Sequence, residues 1–100
     1  MSGFIPPESI DALIHERVRL GIMSALAATP ELAFTQLRDM LKVTDGNLSV
    51  HARQLEEARY VRIEKSFVEK RPRTTLSLTA KGRAAFAHYL SQLEELVRKK

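Results

Sequence analysis

Between Leu41 and Asp45 the chain has only Lys42, Val43 and Thr44, and this tight connection constrains the fold more than any other feature. On either side lies a segment with helical apolar spacing. Leu37, Met40 and Leu41 form the inner face of the first, and Leu48, Ala52 and Leu55 that of the second. Lys42-Val43 must turn sharply, and Thr44 is suited to N-cap the second helix with Asp45 in its first turn. The spacing predicts a helix over about 45–58. Its outer stripe is Gly46, Val50, Arg53 and Glu57, flanked by Asn47, Ser49 and Gln54. Two helices joined this closely form a helix-turn-helix. Its outer face is slim and polar, without the usual mix of Lys and Glu.

The flanking segments complete the pattern. Gly3, Pro6 and Pro7 make residues 1–8 an irregular lead-in, and Ser9 can cap a first helix. Ile10, Leu13, Ile14, Val18, Ile22, Ala25 and Leu26 give that helix its apolar face. It is predicted to bend near His15–Arg17 and to end near Thr29-Pro30. Leu32-Ala33-Phe34 reads as a short strand, and Thr35 as the cap of a two-turn helix. Tyr60, Val61 and Ile63 begin one arm of a β-hairpin. Thr75, Leu76, Ser77 and Leu78 alternate along the other, with SFVEKRPR as a long basic loop between them. Thr79 caps a last helix over 79–98. The predicted architecture is mainly α with a small β-hairpin (α+β). It is a single winged helix-turn-helix domain over residues 1–100 with long terminal helices.

Composition narrows the function. Hydrophobic residues at 44% and charged residues at 28% describe a folded chain rather than a disordered one. No apolar run approaches the length of a membrane span. The N-terminus lacks the basic and apolar regions of a secretory signal. The absence of Cys removes disulfides and thiolate metal sites and fits a reducing compartment.

Charge is distributed unevenly. Residues 1–50 hold 4 Lys/Arg against 6 Asp/Glu, a net of −2. Residues 51–100 hold 12 against 6, a net of +6. From Arg62 to Arg73 there are five basic and two acidic residues, so much of the excess lies on the hairpin. A basic half on a small domain points to a polyanionic partner. The major groove of duplex DNA is about 12 Å wide and accepts one helix. Asn47, Val50, Arg53 and Gln54 are the candidate base readers. Arg can pair with guanine, Asn or Gln with adenine, and Val with a thymine methyl. Thr44 and Ser49, with Asn47 beside them, suit phosphates at the helix N-terminus. Lys65, Lys70, Arg71 and Arg73 are the candidate backbone or minor-groove contacts of the wing, about 65–73.

The last helix is longer than a domain of this size can cover, about 20 residues or roughly 30 Å. Its apolar residues Tyr89, Leu90, Leu93, Leu96 and Val97 are expected to pair with a partner subunit, together with Ile10, Leu13 and Ile14 of the first helix.

Three segments also carry a resemblance: LIHERVRLGIMSAL, FTQLRDMLKVTDGNLSVHARQLEEARYV and KRPRTTLSLTAKGRAAFAHYL. Over about residues 11–93 they resemble the winged-helix DNA-binding domains of small MarR/ArsR-like transcriptional regulators. The resemblance implies a homodimeric cytoplasmic regulator, with helix 45–58 as recognition helix and SFVEKRPRT as wing. It also implies dimer contacts on the terminal helices. Two positions depart from the family pattern. Arg17 stands where Pro is usual, and Arg59 where Gly usually ends the recognition helix. Arg in the left-handed conformation costs about 1 kcal/mol against Gly.

Other chemistries find less support. His15, His51 and His88 share no i, i+4 spacing, and His88 has no acidic neighbour within four positions, so no metal site or cofactor is expected. Ser24, Ser49, Ser66 and Ser77 sit in no nucleophile motif, and there is no Gly-rich phosphate loop, so no enzyme activity is expected. The sequence identifies no small-molecule effector. The leading expectation is a sequence-specific, homodimeric regulator of transcription on double-stranded DNA. The alternative is a winged-helix module that docks another protein.

Overall fold

The computed structural model describes residues 10–98. The chain forms α1 (Arg17–Ala28), β1 (Leu32–Ala33), α2 (Phe34–Leu41), α3 (Asp45–Glu57), β2 (Val61–Val68), β3 (Arg71–Leu78) and α4 (Ala80–Val97). The strands make one antiparallel sheet in the order β1-β3-β2. Leu32 pairs with Leu76 and Ala33 with Thr75, so the short β1 ties the base of the hairpin to the helices. Ile14, Ile22, Met23, Leu26, Leu37, Leu48, Leu55, Leu76 and Tyr89 are fully enclosed and form the centre of the core.

The first helix starts later than its apolar spacing predicts. Asp11 Oδ1 accepts the backbone N–H groups of Leu13 (2.9 Å) and Ile14 (3.2 Å), which closes an Asx-type turn. Glu16 is then extended (φ −151°, ψ 140°) and caps α1 by accepting the Arg19 N–H at 2.8 Å. Ile14 still reaches the core, because one turn followed by a break keeps the spacing of a helix. The expected cap at Ser9 and the lead-in 1–8 lie outside the described residues.

Thr35 is not the cap of α2. The helix begins at Phe34, and Gln36 reaches back to accept the Ala33 N–H at 2.8 Å. The turn after α2 uses Lys42 in the left-handed region (φ 57°), and the Val43 N–H closes back on Arg38 O at 3.2 Å. Thr44 caps α3 as expected, its Oγ1 accepting the Asn47 N–H at 3.1 Å.

Arg59 adopts the left-handed conformation that glycine usually takes at this position (φ 67°). Its N–H donates to Glu56 O and the Tyr60 N–H to Leu55 O, both at 2.9 Å, which is a Schellman ending. Arg59→Gly is therefore expected to stabilise the domain by about 1 kcal/mol, raising Tm by about 4–8 °C in a thermal melt. A lower Tm would show that the Arg59 side chain compensates for its backbone.

The segment SFVEKRPR is not a loop. The strands run to Val68 and resume at Arg71, and Glu69 and Lys70 make a two-residue turn with φ of 52° and 67°. Two positive φ values match the right-handed twist of a hairpin, although Asn-Gly would adopt them more readily. Pro72 is accommodated because it pairs with Phe67, one step from the turn-closing pair Val68–Arg71. Ladder bonds alternate, so its missing N–H faces away from β2.

Candidate nucleic-acid interface

The helix α3 buries Leu48, Ala52 and Leu55 and exposes Gly46, Asn47, Val50, Arg53, Gln54 and Glu57. The exposed surface has two shoulders. On the wing side, Ser49, Arg53 and Glu56 face Lys65 and Thr74 across a groove of about 400 Å³ floored by Phe34, Ala52 and Ile63. Glu56 is the only acid among its lining residues. On the other side, His51 and Gln54 meet Arg19 of α1. Val50 lies between the shoulders, 54% exposed.

Arg19 joins these elements. Its Nε donates to Leu13 O, and its terminal nitrogen donates to His51 Nδ1 at 2.8 Å and to Gln54 Oε1 at 2.5 Å. Glu16 Oε1 stands 3.9 Å from Arg19 and 3.5 Å from His51. Burial pushes the Glu16 carboxyl up. The N–H groups of Arg19 and Val18 and the Arg19 charge outweigh it, so its pKa lies below the usual value. The cap is therefore intact at neutral pH and weakens only as acid protonates Glu16.

Arg38 fixes the turn, donating to Asp39 and to Asp45 at 3.0 Å each, the second bond crossing from α2 to the start of α3. At the far end of α3, the Tyr60 hydroxyl donates to Asp11 Oδ2 at 2.7 Å. Burial, then the Asp11 hydrogen bond and charge, push its pKa up to about 12, so the phenol stays protonated at any physiological pH.

Strand alternation sorts the wing residues. Cross-strand partners share a face. Lys65 pairs with Thr74 and Phe67 with Pro72, continuing outward the face that begins with Ile63 and Leu76. Arg71 and Arg73 pair with Val68 and Ser66 on the opposite face. Lys65 and the two arginines thus flank the ribbon rather than forming one cluster, while Lys70 sits at its tip. Phe67 is 75% exposed.

The expected interface residues also divide. Ile14 and Tyr89 are 0% exposed and are used up in the core of one chain, so neither has surface left for a partner. Tyr89 also bonds through its hydroxyl to His15 Nδ1 at 2.7 Å. Leu90 and Val97 are 46% and 82% exposed, while Ile10, Leu13, Leu93 and Leu96 are half-buried. Beyond Tyr89 no described residue of α4 is buried.

Sequence reasoning missed Arg19, whose partners lie 32 and 35 positions away, and no local pattern marks such a contact. The histidines stay apart: His15 meets Tyr89, His51 meets Arg19, and His88 is exposed.

A helix-turn-helix with a twisted hairpin against its second helix defines a winged helix. A family model described as a winged helix DNA-binding domain matches residues 18–97, and the chain belongs to that family. It is 37% identical over 84 residues to an uncharacterized protein of Methanocaldococcus jannaschii, covering 84% of this chain and 91% of the relative. The structure of a transcriptional regulator homologue from Pyrococcus horikoshii superposes with a TM-score of 0.81 at 34% identity, covering 85% and 84% of the two chains. A MarR-family transcriptional regulator from Silicibacter pomeroyi shares the fold, with a TM-score of 0.63 at 21% identity over 87% of this chain and 60% of that one. Among the described residues no helix is long and apolar enough to cross a membrane.

Proposed function

We propose that this chain is a homodimeric transcriptional regulator that reads duplex DNA in a sequence-dependent way. The recognition helix α3 lies in the major groove and the hairpin rests on the flanking backbone or minor groove. The observation that carries this function is the groove between α3 and the wing. It brings Arg53 and Ser49 of the helix opposite Lys65 and Thr74 of the hairpin, from two elements adjacent only through the fold. Cationic and hydroxyl groups on both walls suit one phosphodiester strand. The exposed stripe Asn47, Val50, Arg53 and Gln54 then meets base edges, and Thr44 and Ser49 lie near phosphates.

A two-fold dimer is supported by α4, whose half beyond Tyr89 is partly apolar and only partly covered by its own chain, with Leu90 and Val97 exposed. Leu90, Leu93, Leu96 and Val97 form its contact, joined by Ile10 and Leu13, which precede α1 and are only half-buried. Such symmetry sets two copies of α3 about one DNA turn apart, roughly 34 Å.

Paired substitutions test the assigned surface. Arg53→Ala is expected to relax base preference at one position by about 1–3 kcal/mol. Arg71→Ala is expected to weaken all sequences alike and to lower the salt slope by up to about one unit. Both follow from binding titrations on a duplex set at several salt concentrations. Unchanged binding in both variants would overturn the surface.

A further inference from the structure

Arginine carries only hydrogen-bond donors. Whichever way the Gln54 amide is drawn, the atom facing Arg19 must therefore be its carbonyl oxygen, and the contact is 2.5 Å. The same reasoning makes His51 Nδ1 an acceptor, at 2.8 Å from the same Arg19 nitrogen. Arg19 is itself held in place. Its side chain is 14% exposed, its Nε is bound to Leu13 O, and Glu16 lies beside it. Gln54 is exposed on α3, so its remaining polar group, the amide NH₂, is what it can offer outward.

A free glutamine reads adenine with both ends of its amide, donating to N7 and accepting from N6. Arg19 already takes one of the two lone pairs of the Gln54 oxygen and directs the carbonyl toward α1, which hinders the paired contact. We propose that Arg19 is a specificity-determining positioning residue. By holding Gln54 Oε1 it leaves the amide NH₂ as the outward end, so that Gln54 reads chiefly as a donor. It then favours guanine, which offers N7 and O6, or thymine, which offers O4, over adenine, which offers N7 alone beside the N6 donor. This rests on the DNA-binding function proposed above and assigns the base class at one of its positions.

The test measures relative affinities for duplexes carrying each of the four bases at every position of the selected site. Gln54→Ala flattens the preference at one position and so identifies it. There the wild type favours guanine or thymine over cytosine by about five- to hundredfold, and over adenine, whose N7 also accepts, by about fivefold. Arg19→Met keeps the length of the side chain but donates nothing. It frees Gln54 and raises adenine about tenfold against guanine at that position alone. Gln54→Glu keeps the Arg19 contact but has no donor, and it moves the preference to cytosine, whose N4 donates. A general loss of folding would weaken all duplexes together and could not change the ranking at one position. If Arg19→Met does not fold, the switch to cytosine in Gln54→Glu decides the matter. The proposal is overturned if the wild type prefers adenine there, if Arg19→Met leaves the ranking unchanged, or if Gln54→Ala flattens no position. A wild type with no base preference anywhere overturns the sequence-dependent reading proposed above, whereas preference at other positions alone overturns only the role of Arg19.

Discussion

Gly82→Ala is expected to destabilise the domain by about 3 kcal/mol or more, the upper end of what overpacking costs. A β-carbon at this position would lie 1.9 Å from Tyr60 O, 2.7 Å from its carbonyl carbon and 2.9 Å from its Cα. All three are backbone atoms, so no rotamer change relieves the clash. Nor can α4 slide away cheaply. Thr79 N–H donates to Tyr60 O at 3.0 Å, and Thr79 Oγ1 donates to Arg59 O at 2.6 Å while accepting the Gly82 N–H at 2.9 Å. The start of α4 is thus pinned to the corner that ends α3. Natural domains have only about 5–15 kcal/mol of stability, so the loss is a large share. Denaturant unfolding measures it, and a wild-type midpoint would contradict the close approach. Gly21→Ala is the control. Its nearest contact is the flexible tip of the Leu41 side chain at 2.6 Å, which can move, so the cost is smaller.

The second large effect concerns assembly. Leu90→Asp combined with Val97→Asp is expected to leave the fold intact, because neither side chain is buried in its own chain. The charges would desolvate badly against a partner subunit, and the dimer would dissociate. Joining two binding sites raises overall affinity by about 10²- to 10⁴-fold over one, so binding to a two-half-site duplex should fall by that order. Light scattering at micromolar concentration and titration on the same duplex test both halves. A wild type that is already monomeric, or a variant that still dimerises, would overturn the assignment of α4.

The sequence made some features legible for definite reasons. Thr44 and Thr79 signal their helix starts because a hydroxyl before an apolar-periodic run satisfies an orphan N–H, and both do so here. Arg59 points to a left-handed ending because the family usually has glycine there, and the ending exists without the glycine. Other features left no local trace. The wing turn Glu69-Lys70 lacks the Asn-Gly signal, so a six-residue extension of the strands (66–68 and 71–73) was hidden behind charge and a proline. The start of α1 was hidden because Glu is an unusual cap, and because Asp11 can hold one turn in helical spacing without continuing it. In the site, the exposed stripe of α3 followed from periodicity. Its division into two shoulders did not, since that depends on Arg19 and Lys65 arriving from distant elements. Likewise, periodicity put Ile14 and Tyr89 on apolar faces but could not tell the core of one chain from the surface of two.

Selection of binding sites from a pool of random duplexes at moderate salt tests the central function most directly. The expected result is an enriched pseudo-palindrome with half-site centres about 10 base pairs apart, matching two copies of α3 in successive major grooves. A pool that remains unenriched, with only weak and uniform affinity, would contradict it and would leave the winged helix as a surface for docking another protein.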